Sequence, residues 1–470
     1  MRAPHFTIAT AALLLAGCTV GPNYRRAQVA VPTNFRAPEP LPESQAASLA
    51  DLKWFDVFRD PQLQELIKAA LASNYDLRDA VARVDEARAN LGITRANQIP
   101  QLSASGSTNY TRISRNGELP LPSSIPFNQD INYGQAGLNL LSFQLDLWGQ
   151  LRRATEAARA DLLNADWNRK AVITTVVSQV AAGYFQLLEL DSELEISQRT
   201  LETRRESLRL TQERQARGIA TLLDVRQAEQ LVDSAAESIP QLKQQMEQTE
   251  DQISLLLGKN PGGIERASHL SEESFAPEVP AGLPSALLER RPDIRAAEQA
   301  LIAANANIGV AKAAYFPQIS LTGLIGGQSS KLANLFSGPN RIWSFVPQVT
   351  QPIFTAGRLK NNVRLAEAQR QDAQIAYEKS IWTAFQQVSD ALIAHQRTRE
   401  SRVQQQELVT ALEDRKRLAY RRYEGGVDTQ LNALDADRDL LSAELTLAQL
   451  RYSELVSVVQ LYQALGGGWQ

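Results

Sequence analysis

Apolar residues recur at every seventh position over residues 173–208, at Ile173, Val180, Leu187, Leu194, Leu201 and Leu208. Beyond Gly218 the spacing alternates three and four: Val225, Ala228, Val232, Ala235, Ile239, Leu242, Met246, Thr249, Ile253, Leu256. A 3.5-residue period predicts helices that coil left-handed against their neighbours. The same stripe returns at Ala433, Ala436, Leu440, Ala443, Leu447 and Leu450, then turns polar at Glu454. Its upstream counterpart is eroded, with His395, Arg402 and Lys416 at equivalent positions. Pro240 lacks a backbone N–H and is expected to kink the helix that carries it.

Shorter segments alternate with a period of two. Leu102, Ala104, Gly106, Thr108 and Tyr110 oppose Ser103, Ser105, Ser107 and Asn109, and Leu141, Phe143, Leu145 and Leu147 oppose Ser142, Gln144 and Asp146. Strand regions are expected at 100–110, 133–147, 317–326 and 342–354. Such segments, ~9–11 residues long, suit a membrane β-barrel, though a soluble sheet shows the same period. Four strands cannot close a barrel, whose minimum is about eight. Open edges cannot stand in lipid. A membrane barrel here would have to be shared between chains.

The chain repeats itself. "DLRDAVARVDEARANLGITRANQIPQLS" from Asp76 aligns without gaps on "DIRAAEQALIAANANIGVAKAAYFPQIS" from Asp293, sharing Arg78/Arg295, Asn90/Asn307, Gly92/Gly309 and Pro100/Pro317. A second register pairs Gly149 with Gly357, Gly218 with Gly426, and Gly258 with Gly466. The expected organisation is a leader at 1–17, an N-terminal segment at 18–61, a first repeat at 62–258, a linker at 259–284 and a second repeat at 285–470. Each repeat reads as a short and a medium helix, two strand regions, and two long helices. A helix over 149–217 would span about 100 Å at 1.5 Å per residue, and those at 76–97 and 219–257 about 90 Å together. Rods with narrow apolar stripes suit a larger cylinder. A soluble antiparallel bundle explains the helices but not the strands.

The lone cysteine lies in "LLLAGCTVGPNY". Arg2, a short apolar run and small residues before Cys18 read as a targeting peptide. Leu15-Ala16-Gly17-Cys18 matches a bacterial lipobox, which would make Cys18 the acylated first residue; the alternative is an ordinary secretory signal with an incidental cysteine. A single Cys has no disulfide partner in the chain, and acyl chains would supply a membrane anchor. Thr19, following Cys18, favours the outer membrane by resemblance to other lipoproteins. No later window is expected to reach the length and hydropathy of a membrane-spanning helix. Loss of Arg2 with the leader takes the formal charge from −3 to −4, without the basic excess of a nucleic-acid binder.

No catalytic constellation is found in the sequence. Beyond His5 in the leader there are two histidines, His269 and His395; there is no HExxH, no Cys pair and no Gly-rich loop with Lys. His395 sits in a coiled-coil position and reads as packed or solvated rather than as a ligand. Neither an enzyme nor a cofactor is expected.

"CTVGPNY" at Cys18, "LLERRPDIRAAE" at Leu287, "FPQISLTG" at Phe316 and "LYQALGGGW" at Leu461 resemble the TolC-like outer membrane factors, specifically the OprM-like NodT-type efflux lipoproteins. The resemblance implies a mainly α fold with β structure. In it, a long coiled-coil α-helical barrel crosses the periplasm below a transmembrane β-barrel shared across a trimer, four strands per chain. It also implies an exit channel of a tripartite efflux pump, fed by an inner-membrane pump of the resistance-nodulation-division type through a periplasmic adaptor. Type I secretion or metal-ion efflux is the alternative within the fold; only Met1 and Met246 are present, whereas metal efflux would favour Met-rich segments. An adaptor or structural coiled coil is the alternative outside it, but neither accounts for the duplicated strands.

Two helical turns, "RGIATLLDV" at 217–225 and "GGVDTQLNA" at 425–433, share Gly, a β-branched residue and a Thr three places after the Gly. They can be turns and no more. The resemblance implies adaptor docking at Gly218, Ile219, Ala220 and Thr221 and at Gly426, Val427, Asp428 and Thr429. Beyond the second turn, Asp435, Arg438 and Asp439 share one helix face while Asp437 points elsewhere. A charged face is usually a solvated one. The resemblance implies a periplasmic gate there, with Leu431 as a constriction, Asp435 and Arg438 as gate groups, and Tyr423 bonding across helices. Asp437 stands where the family often has Gln.

Overall fold

All six glycines paired by the second repeat register adopt the left-handed conformation: φ is +79 and +83° at Gly149 and Gly357, +74 and +75° at Gly218 and Gly426, and +64 and +82° at Gly258 and Gly466. Each marks a helix boundary that an L side chain would strain. The computed structural model describes residues 19–37, 48–114, 129–273, 282 and 284–469. Cys18 lies outside the described residues.

The repeats have helices of matching length. In the first, α1 (Pro61–Ser73) and α2 (Tyr75–Ala96) precede β1 (Leu102–Arg112), β2 (Asp130–Leu145), α3 (Gln150–Ala216) and α4 (Leu222–Leu256). In the second, α5 (Pro292–Ala313) precedes β3 (Gln318–Ser329), β4 (Arg341–Thr350), α6 (Arg358–Glu424) and α7 (Gln430–Ala464). α2 and α5 both have 22 residues, α3 and α6 both 67, and α4 and α7 both 35. α4 runs unbroken through Pro240.

The chain forms two compact units, each drawing on both repeats. Residues 85–164 and 298–376 build the first with the N-terminal segment; residues 28–84, 165–297 and 377–470 build the second.

The first unit carries one antiparallel sheet in the order β1-β2-β3-β4, with β1 and β4 at its edges. Register assigns its faces. Leu102, Ala104, Leu138, Leu140, Phe143, Leu321, Ile325, Phe345 and Trp343 share one face; Ser103, Ser105, Asn109, Tyr133, Gln135, Asn139, Thr322, Ser344 and Gln348 share the other. On the polar face Asn139 donates to Ser105 Oγ at 2.7 Å. Glycines show which way the sheet bends. A Cβ on Gly326 would stand 2.2 Å from Ala136 O, and one on Gly137 2.7 Å from Ile325 O. At the Gly137–Gly326 pair the ribbon therefore bends toward the polar face, which is concave there. A bulge sets Leu141 and Ser142 against Thr322 alone, so Leu140, not Leu141, continues the face of Phe143. β2 ends at Leu145, short of Leu147.

Beneath the sheet, alanines of α3 and α5 (Ala157, Ala160, Ala303, Ala306) pack at close range. A strap formed by residues 19–26 lies against the same two helices. Val20 N donates to Trp148 O at 3.0 Å. The buried Arg153 guanidinium donates to Val20 O, Gly21 O and Asn23 Oδ1, and Asn305 Nδ2 donates to Pro22 O at 2.9 Å. Buried Glu298 receives Tyr24 OH and Arg26. The strap touches Gly309 so closely that a Cβ there would stand 2.8 Å from Val20 O.

In the second unit every position of the α4 stripe is buried or half-buried, as are those of α7 down to Leu450. Val409 of α6 packs with Leu440, Ala443 and Leu447 of α7. An 18-residue window in α3 reaches a mean hydropathy of 1.5, contrary to expectation, and 56% of that window is buried within the structure. Long helices buried in a shared core pass the same composition test, so this window alone does not mark a span.

Polar anchors hold the second unit's connections. Asp60 caps α1, accepting from Gln62 N and Leu63 N at 2.7 and 2.9 Å, and its other oxygen accepts from Tyr184 OH and Ser268 Oγ. Burial pushes its pKa up, but these four hydrogen bonds outweigh burial and hold it low. Near the C-terminus Lys170 Nζ lies 3.8 Å from the Trp167 ring centroid and 4.9 Å from that of Trp469.

Candidate functional site

Each predicted turn stops its first helix by one device. Gly218 N donates to Gln215 O and Ile219 N to Arg214 O, both at 2.9 Å; Gly426 N donates to Tyr423 O and Val427 N to Arg422 O. This paired pattern satisfies the last carbonyls of α3 and α6 and requires a left-handed residue at the glycine. The next helix then starts on a threonine. Thr221 Oγ1 accepts from Asp224 N while Asp224 accepts from Thr221 N, a reciprocal capping box. Thr429 Oγ1 accepts from Asn432 N, and Asp428 accepts from Thr429 N, Asn432 Nδ2 and Arg422 Nε. The Asn432 bond, then Arg422, hold the Asp428 carboxyl below its ordinary pKa.

With the backbone tied down, the turns present apolar side chains outward. Ile219 is 65% exposed, Val427 67% and Leu431 53%, whereas Ala220 is half-buried and Thr221 and Thr429 are exposed. Exposed aliphatic side chains on a rigid turn are available for contact with another surface. Between α3 and α6 beside the turns lies a groove of about 860 Å³ lined by Leu210, Thr211, Arg214, Ile219, Tyr420 and Tyr423 among others.

Asp435, Arg438 and Asp439 are brought together. Arg438 Nη2 lies 3.2 Å from Asp435 and 3.7 Å from Asp439, and Arg415 of α6 reaches Asp439 at 2.6 Å. Tyr423 OH is 3.4 Å from Gln430 Oε1 across the two helices, with the Arg214 guanidinium 4.6 Å from its ring centroid.

Asp437 points elsewhere, as expected, and forms the centre that sequence reasoning missed. It is 1% exposed. Arg204 Nε of α3 donates to Oδ2 at 2.8 Å, and Lys416 Nζ of α6 lies 2.6 Å from Oδ1. Arg204 also donates to Leu231 O of α4 at 3.0 Å, so four helices meet at one ion cluster. The signal was present: Arg204 continues the three-four stripe from Leu201 toward Leu208.

The two other eroded positions are paired likewise. Arg402 binds Glu454, and His395 Nδ1 lies 3.0 Å from Ser457 Oγ. Burial holds the His395 imidazole below its ordinary pKa.

A family model described as "Outer membrane efflux protein" matches residues 66–259 and 283–467. Over 466 residues the chain is 39% identical to the probable efflux pump outer membrane protein TtgC of Pseudomonas putida, covering 98% of this chain and 95% of that one. It is 36% identical over 460 residues to the cation efflux system protein CusC of Escherichia coli, with 98% and 97% covered. The open-state structure of the MtrE outer membrane channel of Neisseria gonorrhoeae superposes with a TM-score of 0.85 at 33% identity, covering 96% of this chain and 99% of that one.

Proposed function

The chain belongs to the outer membrane efflux protein family, and on that premise we propose that it is the passive exit duct of a tripartite pump for small organic molecules. Three copies contribute twelve strands to one barrel in the outer membrane, and their long helices form a tunnel through the periplasm. Cys18 carries lipid. The turns at Gly218–Thr221 and Gly426–Thr429 receive a periplasmic adaptor that links the duct to an inner-membrane pump of the resistance-nodulation-division type. Leu431, Asp435, Arg438, Asp439 and Tyr423 form the gate at that end.

The sheet is the observation that carries this reading. Its apolar face is convex, its polar face concave, and β1 and β4 are open edges. A strand edge cannot face lipid unpaired, so copies must pair β4 to β1 until the ring closes around the polar face. A soluble sheet would bury its apolar face, yet Leu138, Ile325 and Phe345 are exposed. The periplasmic adaptor reading finds no support in an outer membrane family.

The test is single-channel conductance in a planar bilayer, comparing the native protein with an Asp435→Ala, Arg438→Ala variant. Rare, small openings that become large and frequent in the variant support a duct gated by these charges. No conductance from either, with insertion verified, ends the channel reading.

Similarity to CusC, whose name specifies cation efflux, favours a second cargo on the same duct. Complementation of an efflux-deficient host separates them: organic-drug tolerance supports the first reading, and tolerance to metal cations alone supports the second.

A further inference from the structure

The connection between β3 and β4 is folded back rather than extended. It makes two short 3₁₀ turns, Leu332–Asn334 and Gly338–Asn340. It is also held by its own hydrogen bonds: Asn340 Nδ2 donates to Asn334 O and Ser337 Oγ at 2.7 and 2.8 Å, and Ser337 Oγ to Asn334 O at 2.8 Å. Two glycines fix where it lies. A Cβ on Gly327 would stand 1.9 Å from Leu335 O, and one on Gly134 would stand 2.9 Å from Leu332 Cδ2. By register, Gly134 and Gly327 sit on the same sheet face as Leu138, Ile325 and Trp343. The connection therefore lies over the convex apolar face, not over the concave polar one.

Its side chains divide by chemistry. Leu335 is buried against the sheet, while Leu332 and Phe336 are 67% and 74% exposed. Two exposed cations flank them, Lys331 in the connection and Arg341 at the start of β4, on the same face as Trp343. Neither cation forms an ion pair among the described residues, whereas Arg112 at the end of β1 lies 3.7 Å from Asp130. Exposed apolar side chains, an aromatic ring and unpaired cations on one face are what an interface between hydrocarbon and anionic headgroups accepts.

Building on the barrel reading above, we propose that residues 330–341 form a foot in the outer leaflet: Leu332 and Phe336 enter the hydrocarbon, and Lys331 and Arg341 bind phosphate-bearing lipid headgroups. The occupant is lipid because the foot continues the face that meets the bilayer, and because its charge is complementary to phosphate. The foot ties the rim of the duct to the anionic lipid around it.

The full-length protein, with Cys18 blocked by its own acylation, takes a bimane label at Phe336→Cys, with Ile325→Cys and Ser105→Cys as references on the two sheet faces. Each is reconstituted in phosphatidylcholine vesicles with and without phosphatidic acid, then quenched by nitroxide-bearing lipid and by aqueous acrylamide. The foot predicts that the Phe336 label follows the Ile325 label, quenched by lipid and shielded from acrylamide. Phosphatidic acid increases that shielding about twofold or more, and Lys331→Gln with Arg341→Gln removes the increase. A Phe336 label open to acrylamide, beside an Ile325 label quenched by lipid, overturns the foot and leaves the barrel standing. An Ile325 label open to acrylamide overturns the barrel itself. A Phe336 label shielded from both quenchers means that a second copy covers the connection, and overturns the proposal. Shielding indifferent to phosphatidic acid overturns the headgroup assignment. Should Phe336→Cys fail to assemble, Leu332→Cys carries the same label.

Discussion

Lys416 Nζ of α6 lies 2.6 Å from Asp437 Oδ1 on α7, and Arg204 of α3 approaches the other oxygen of the same carboxylate at 2.8 Å. Asp437→Ala would leave these two cations facing each other in a buried site. Loss of one partner from a buried pair costs about 3–5 kcal/mol, so the hairpin ends should become sensitive to limited proteolysis while the sheet stays resistant. Replacing Arg204, Lys416 and Asp437 together by Met, Met and Leu should restore resistance. If Asp437→Ala is as resistant as the native protein, the cluster is not what binds these helices.

Glu189, 8% exposed, is pushed up to about 7 from an ordinary 4.5, first by burial and then by Glu193. The folded protein thus keeps a proton that the unfolded chain releases. Stability should fall as pH rises from about 4.5 to about 7 and level off above, by on the order of 2–4 kcal/mol for this group. Denaturation midpoints measured across that range should show a flatter profile for Glu189→Gln.

Ile219 and Val427 are exposed on turns whose backbones are already satisfied, so their replacement should spare folding. Ile219→Asp with Val427→Asp is expected to change stability by less than about 0.5 kcal/mol, to leave the protein in the outer membrane, and to abolish drug tolerance in a complemented host. Unchanged tolerance would mean that the adaptor docks elsewhere.

The sheet faces differ in what they tolerate. Leu138→Lys, on the convex face, should cost about 2–4 kcal/mol near the middle of a bilayer and fall off toward its edges. Ser105→Lys, on the concave face, should insert normally and shift conductance toward anions. Equal insertion of both variants, measured by outer-membrane fractionation, would contradict the assignment of faces.

Much of this architecture was readable because it depends on spacing. The helix stripes and the Gly149/Gly357, Gly218/Gly426 and Gly258/Gly466 pairs needed only periodicity and the conformational freedom of glycine. The strands emerged with shifted ends, and Leu141 was misplaced because a bulge inserts a residue that no two-residue period reveals. Pro240 sits inside α4, and helix continues on both sides of it. His395, Arg402 and Lys416 looked like an eroded stripe because a pattern read along one helix cannot show its partner: Ser457, Glu454 and Asp437 supply the matching polar atoms on α7. The polar turn at Glu454 and the gap at Arg402 are two halves of one contact. The roles proposed for Asp435, Arg438 and the turn residues would involve other chains, and one chain's sequence carries only their positions.

Gly92 and Gly309 occupy the same place in the two repeats, yet a Cβ on Gly92 would meet nothing within 4 Å, whereas one on Gly309 would strike Val20 and Arg153. The strap over Gly309 belongs to neither repeat. It breaks the equivalence of the halves and gives the duplicated chain a direction. The seat itself is shared: Trp148 and Arg153 come from the first repeat, and Glu298, Asn305 and Gly309 from the second. Eight residues that are themselves unrepeated thus tie the two halves to each other and mark which is which.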